Sequence, residues 1–268
     1  MEELVSALRR RTALSVSIGA GGVRSLAGLG VLRGFRVLGP TISRYTGASF
    51  GALIAACLAF GLPEALLLSS VSALRVRHLL RPTWRGHGVL SNEPMRRFID
   101  AILPDARIED APIPLTVWCT DLALGEAVEF SSGPVREIIL ASSVFAGLFN
   151  AVHIDGRVFT DGGYAAAVPM PCVGDEEHAL IVDVRRPPTL TVDKQRSLLN
   201  PFRWVDAAHM VNASIDTLFA SQRTPERAPN FTVIRPPLGD MLVTDFRHAQ
   251  EAVMIGERLA QAALRQAP

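Results

Sequence analysis

Cysteine is scarce: three occur in 268 residues. Cys57, Cys119 and Cys172 are unevenly placed and form no C-x-x-C pair, so neither a disulfide framework nor a cysteine zinc site is indicated. No metal and no organic cofactor is called for, and a reducing cytoplasm is the expected setting. An excess of either charge is missing as well. The 27 Lys and Arg against 26 Asp and Glu leave a formal net charge of +1, which excludes a strongly basic nucleic-acid binder on bulk grounds. The first residues, Met1 to Arg11, lack the uncharged apolar stretch of a signal peptide. Residues 47–63 are nearly free of charge, yet they are shorter than the about 20 residues a spanning helix needs and end at Pro63-Glu64. There is no internal repeat and no long polar linker, so one α/β domain over 1–268 is expected. Its core would cover about 12–185, with a helical and strand extension over 186–268.

Hydrophobic residues, at 49%, are plentiful and imply a large core or an apolar surface patch. Short runs rich in Val, Ile, Leu or Thr predict strands near 12–18, 41–46, 114–120, 126–130, 179–184 and 230–235. Helical patterns separate most of them, at 24–36, 50–60, 63–74, 91–102, 134–142, 203–220 and 246–265. Such alternation predicts a three-layer α/β/α sandwich around a mainly parallel sheet, with ligands bound at the carboxyl ends of the strands. Residues 185–201, polar and proline-rich, read as a mobile loop or a fixed surface connection. Residues 63–85 set leucines beside Arg75, Arg77, His78, Arg81 and Arg85. That mixture fits peripheral contact with an anionic membrane or a lid, and equally a core-facing helix with a solvated basic end.

Chemistry concentrates in three places. Gly47-Ala48-Ser49-Phe50-Gly51 sets a serine in G-x-S-x-G between an apolar run and an alanine-rich helix. That is the pattern of a nucleophile elbow, in which Gly47 and Gly51 remove β-carbons from a tight strand-to-helix turn; alone, it also fits a glycine turn with a capping serine. Earlier, Leu14 to Ile18 runs into Gly19-Ala20-Gly21-Gly22-Val23-Arg24-Ser25, a glycine loop able to aim backbone amides at one point. It carries neither G-x-G-x-x-G with a following acid nor a Walker lysine, which argues against phosphate binding.

A serine needs a proton acceptor. Of the six histidines, His78, His87, His153, His178, His209 and His248, none sits in a glycine-rich turn of the kind that presents a catalytic base. Asp161, followed by Gly162 and Gly163, lies in one, and partial burial would raise its proton affinity enough for it to act as base. Asp121 is the second choice, although its place after a strand suits loop orientation.

With these three segments in this order, the chain resembles the patatin-like phospholipases, which use a Ser-Asp dyad. Cys119-Thr120-Asp121-Leu122, Ala141-Ser142-Ser143, Gly147-Leu148-Phe149 and Val168-Pro169 add to the likeness, which covers about residues 12–185. The resemblance implies Ser49 as nucleophile and Asp161 as general base. It makes Gly21, Gly22 and Val23 the oxyanion amides and Arg24 the residue that orients their loop. It further implies a lipid or acyl-ester substrate and cleavage through an acyl-enzyme. Three positions depart from the family's habit: Ser25 where a further glycine is common, Ala146 where proline is common, and Tyr164-Ala165-Ala166-Ala167, which lacks an asparagine. The altered pocket wall leaves two other readings open, an acyltransferase or thioesterase and a non-catalytic binding module.

Overall fold

Residues 2–10, 12–174, 177–187, 203–223 and 230–266 are described by the computed structural model, with 203–209 as backbone alone. The strands are Ala13–Ile18 (β1), Ile42–Ala48 (β2), Leu115–Asp121 (β3), Glu126–Phe130 (β4), Val152–Ile154 (β5), Arg157–Asp161 (β6), Glu177–Val182 (β7) and Phe231–Ile234 (β8). They form one sheet in the order β5-β6-β3-β2-β1-β7-β8, with β4 paired to β3. The pairs β1–β2, β1–β7, β2–β3 and β7–β8 are parallel, whereas β4, β5 and β6 pair antiparallel. The sheet is therefore mixed and mostly parallel. The sequence pattern locates six of the strands and misses β5, which has three residues, and β6, which begins at the exposed Arg157.

The helices are Glu2–Arg9 (α1), Leu26–Phe35 (α2), Phe50–Ala59 (α3), Glu64–Ala73 (α4), Val76–Leu79 (α5), Glu93–Asp100 (α6), Val135–Ser143 (α7), Gly163–Ala166 (α8), Arg203–Ala220 (α9) and Ala249–Gln266 (α10). Strand residues alternate between the two faces of the sheet. Leu14, Val16 and Ile18 of β1, Leu115, Val117 and Cys119 of β3, and Leu180 and Val182 of β7 enter the larger core, packed by α1, α2, α3, α7 and α10. The intervening positions carry small hydroxyls, Ser15, Ser17, Thr116 and Thr120, all buried. Phe219 of α9 packs with Ala20, Ala48 and Ala167 on that side.

Described residues beyond 185 belong to both sheet and core. β8 extends the sheet along β7, and α10 touches α2 backbone to backbone. A Cβ on Gly30 would sit 1.9 Å from the Val253 carbonyl, and one on Gly256 would sit 2.0 Å from that of Ala27. The loop expected over 185–201 lies, from 188 onward, outside the described residues.

Of the readings expected for 63–85, the core-facing helix with a solvated basic end describes α4. Leu67, Leu68 and Val71 of α4 are buried, so this ridge faces the core. The exposed, cation-rich part of the region begins at Arg75.

One irregularity of the sheet decides where the site forms. Residues 115–118 of β3 pair with β2, residues 119–121 pair with β6, and β4 runs along 117–121. Because a strand has two edges and β4 occupies one, β2 and β6 share the other. They approach from opposite directions and end against each other, with Ala48 opposite Trp118 and Asp161 opposite Cys119.

Candidate active site

β1 and β2 are parallel with Ile18 opposite Gly47, so the glycine loop and the elbow leave the sheet side by side. Gly51 keeps them in contact: a Cβ there would fall 2.4 Å from the Ile18 carbonyl oxygen and 2.6 Å from that of Gly19. Between β2 and α3, Ser49 adopts φ 56° and ψ −135°, a conformation that costs a non-glycine residue about 1–3 kcal/mol. Local bonds offset that strain. The Ser49 N–H donates to Ser142 Oγ at 2.9 Å, and the Ser142 hydroxyl donates to the Trp118 carbonyl at 2.7 Å. Ser142, at the end of α7, thus ties the Ser49 amide to β3, the strand beside the elbow.

The Ser49 hydroxyl, 8% exposed, donates to Asp161 Oδ2 at 2.6 Å. Asp161 is fully buried. Its Oδ1 accepts the Gly163 N–H at 2.7 Å, and its backbone carbonyl accepts the Thr120 hydroxyl at 2.9 Å. Burial pushes its carboxyl up to about 7, opposed by the hydrogen bonds from Ser49 and Gly163. A carboxylate near that value is half ionised at neutral pH and can exchange a proton with a serine. Gly162 is required by close approach, since a Cβ would lie 2.1 Å from the Trp118 carbonyl oxygen.

The glycine loop is pinned at several points. Gly19 and Ala20 donate their N–H groups to Val182 and Ala167, and the Ser25 hydroxyl donates to the Gly19 carbonyl at 2.8 Å. A serine in place of the more usual glycine therefore closes the loop. Gly22 has φ +56°, and its N–H and that of Gly21 meet no acceptor among the described residues. Val23 corrects the expectation: its N–H donates to the Val243 carbonyl at 3.0 Å and is not free for an oxyanion.

Arg24 is fully buried. Its guanidinium donates to Asp216 Oδ1 at 2.5 Å and to the Gly21 carbonyl at 3.4 Å, while Arg186 donates to Asp216 Oδ2 at 2.7 Å. Asp216 lies on α9 and carries no local sequence signal. Gln222, just past α9, carries none either. It accepts the Ala167 N–H at 2.7 Å and donates to the Gly163 and Tyr164 carbonyls at 2.6 and 3.0 Å, bracing the segment that lacks the family's asparagine. Ala146, where proline is common, donates its N–H to Thr160 Oγ1 at 2.9 Å, a bond proline cannot make.

Asp121, His153 and His178 have other surroundings. Asp121 accepts the Ala123 and Leu124 amides and the Arg157 guanidinium, so it orients its loop. His153 is exposed on β5, and His178 bonds Thr232 at 2.8 Å. Burial pushes the Cys57 thiol up to about 12, as suits a small core residue. A hollow of about 240 Å³ is lined by Leu74, Arg75, Val76, Leu242, Thr244, Asp245, Phe246 and Arg247. It adjoins the elbow through Phe246, whose ring centre lies 5.6 Å from that of Phe50. Among the described residues no three His, Cys, Asp or Glu side chains are grouped to hold a metal ion, and no helix is long and apolar enough to cross a membrane.

A glycine loop, a serine on a strained turn and a buried aspartate thus stand together at the carboxyl ends of a mostly parallel sheet. The model of the patatin-like phospholipase family matches residues 16–171. The chain belongs to that family, and membership supports lipid hydrolase activity in general terms. It is 33% identical over 159 residues to an uncharacterized NTE family protein of Mycobacterium tuberculosis, covering 59% of this chain and 44% of the relative. It is 28% identical over 269 residues to the lysophospholipase NTE1 of Kluyveromyces lactis, covering 91% of this chain and 18% of the relative. The chain thus spans less than half of either relative. Among solved structures, VipD from Legionella pneumophila superposes with a TM-score of 0.58 at 13% identity, over 95% of this chain and 66% of that one, a likeness of fold.

Proposed function

We propose that this chain is a serine hydrolase of lipid acyl esters, working through Ser49 and Asp161. The observation that carries the proposal is the 2.6 Å hydrogen bond from the Ser49 hydroxyl to a fully buried carboxylate. In the acylation half, Asp161 takes the hydroxyl proton as Ser49 Oγ bonds to the ester carbonyl carbon. The resulting oxyanion accepts hydrogen bonds from the free Gly21 and Gly22 amides. Each such donor is worth about 3 kcal/mol in a dry site. Collapse breaks the ester C–O bond, and the leaving alkoxide takes the proton from Asp161. In the second half, Asp161 takes a proton from water as its oxygen attacks the acyl-enzyme; the fatty acid leaves and the serine is re-protonated. Arg24, clamped by Asp216, holds the loop in register throughout.

The substrate stands in a lipid aggregate, so the protein works peripherally at its surface. The name of the yeast relative makes lysophospholipids the first substrates to try. The test compares the wild type with Ser49→Ala and Asp161→Asn, following fatty-acid release from lysophosphatidylcholine and labelling of Ser49 by a fluorophosphonate. Both variants should lose release by about three orders of magnitude or more, and the wild type alone should label rapidly. Full activity in Asp161→Asn would falsify the dyad.

A further inference from the structure

We propose that residues 75–89 form a docking surface for an anionic lipid bilayer. This deepens the reading of the chain as a lipid hydrolase by naming the surface and the charge of its partner, and its test needs no hydrolysis. Between Glu64 and Glu93 the sequence contains no acidic residue, while Arg75, Arg77, Arg81 and Arg85 are all exposed. Among the described residues, Arg77, Arg81 and Arg85 meet no carboxylate. Elsewhere in the molecule exposed arginines are commonly paired, as Arg36 is with Glu64 and Arg97 with Glu93. A run of unpaired cations on one short segment attracts negative surfaces within a Debye length.

Charge alone would fit any polyanion; the apolar side chains between the arginines select a bilayer. Trp84 is 101% exposed, Val89 61% and Leu80 50%. A tryptophan that no part of its own chain covers is costly in water and favoured at the headgroup boundary of a membrane. The segment is also held in shape. Pro82 and Leu90 form an antiparallel bridge, Thr83 donates to the Val89 carbonyl, and Ser91 donates to that of Arg81. Trp84 therefore rides near the tip of a short ribbon and is presented outward.

The ribbon's anchorage places it beside the site. Leu90 bridges to Phe149, and Gly88 donates to the Asn150 side chain at 2.8 Å. That stretch continues back to Phe145, whose ring lies 5.1 Å from that of Tyr164, three residues past Asp161. Arg75, at the other end of the segment, lines the hollow that adjoins the elbow through Phe246. A bilayer seated on Trp84 and its arginines would lie against the same end of the sheet from which lipid esters must enter.

The test uses the full chain carrying Ser49→Ala, so that binding is read apart from catalysis. Co-sedimentation is measured with vesicles of phosphatidylcholine alone and of equimolar phosphatidylcholine and phosphatidylglycerol. The parent should bind the mixed vesicles, release with added salt, and show a blue shift of tryptophan emission on binding. Trp84→Ala should abolish the shift and weaken partitioning about tenfold; Arg77→Gln, Arg81→Gln and Arg85→Gln together should weaken it at least as much. Melting temperatures matching the parent establish that each variant is folded. Equal binding by the variants, absence of parent binding to the mixed vesicles, or binding to a DNA duplex that survives Trp84→Ala but not the arginine changes would each overturn the proposal. If binding holds while lysophospholipid hydrolysis fails in the wild type, the surface stands and the enzymatic reading falls.

Discussion

Ser49 donates its hydroxyl proton toward Asp161 across 2.6 Å although 112 residues separate them in the chain. The meeting is arranged by β3, on which Ala48 and Asp161 face the successive residues Trp118 and Cys119. The chemistry expected of this pair depends on the burial of one member.

Burial raises the Asp161 carboxyl to about 7, and only the ionised form accepts a proton. Hydrolysis of a soluble ester such as p-nitrophenyl butyrate should therefore rise with pH and inflect near 7, well above the about 3.9 of a free aspartate. The measurement is kcat/KM between about pH 5 and pH 9. A profile already level at the acid end would sink the assignment of Asp161 as base.

The same shift bears on stability. An unfolded aspartate ionises near 3.9, whereas the folded one holds its proton to about 7. The folded state thus binds the extra proton between those values, and stability falls as pH rises through that window, levelling off above it. Asp161→Asn removes the ionisation. It should melt higher than the wild type at pH 8, by at most about 4 kcal/mol in stability, and the gap should close as the pH is lowered toward about 4. A gap independent of pH would rule out the buried ionisation as its cause.

Ser142→Ala removes both the acceptor for the Ser49 amide and the donor to the Trp118 carbonyl. Two buried backbone groups lose their partner, at about 1–3 kcal/mol each, and the strained turn loses a support. Fluorophosphonate labelling of Ser49 should slow by about ten- to a hundredfold, corresponding to about 1.4–2.8 kcal/mol of activation barrier. Unchanged labelling in a folded Ser142→Ala protein would show that the turn holds itself.

Asp216→Ala strands Arg24, fully buried, without its carboxylate. Removing one partner of a buried pair costs about 3–5 kcal/mol, whereas the double replacement removes the buried Arg24 charge too and leaves only the less buried Arg186 without this carboxylate. Urea denaturation should rank Asp216→Ala below the double variant Arg24→Met, Asp216→Leu. That double variant should still lose hydrolysis, because the Gly21 carbonyl no longer has its guanidinium.

The extent to which the sequence foretells this site follows the distance over which each feature is encoded. The elbow and the Asp-Gly-Gly turn are compact in sequence, each within five residues, although the neighbours that demand Gly51, Gly162 and Gly163 are distant ones, among them the Ile18 and Trp118 carbonyls and the Phe219 ring. The strands of the parallel part carry apolar runs of ordinary length. β5 is three residues long and contains His153, and β6 begins at the exposed Arg157, so neither offers a usable period. Asp216 pairs with a residue 192 positions away, and Gln222 acts through backbone 55 to 59 positions distant. No periodicity announces such a partner. Val23 departs from expectation because a free amide cannot be told from a bonded one until Val243 is brought alongside.

The shared edge of β3 has a mechanical consequence. Besides their mutual hydrogen bond, the backbones that carry the two side chains are both referenced to adjoining rungs of one strand, about 3.3 Å apart. A displacement of β3 would therefore carry Ser49 and Asp161 together. β3 serves the pair as a common ruler.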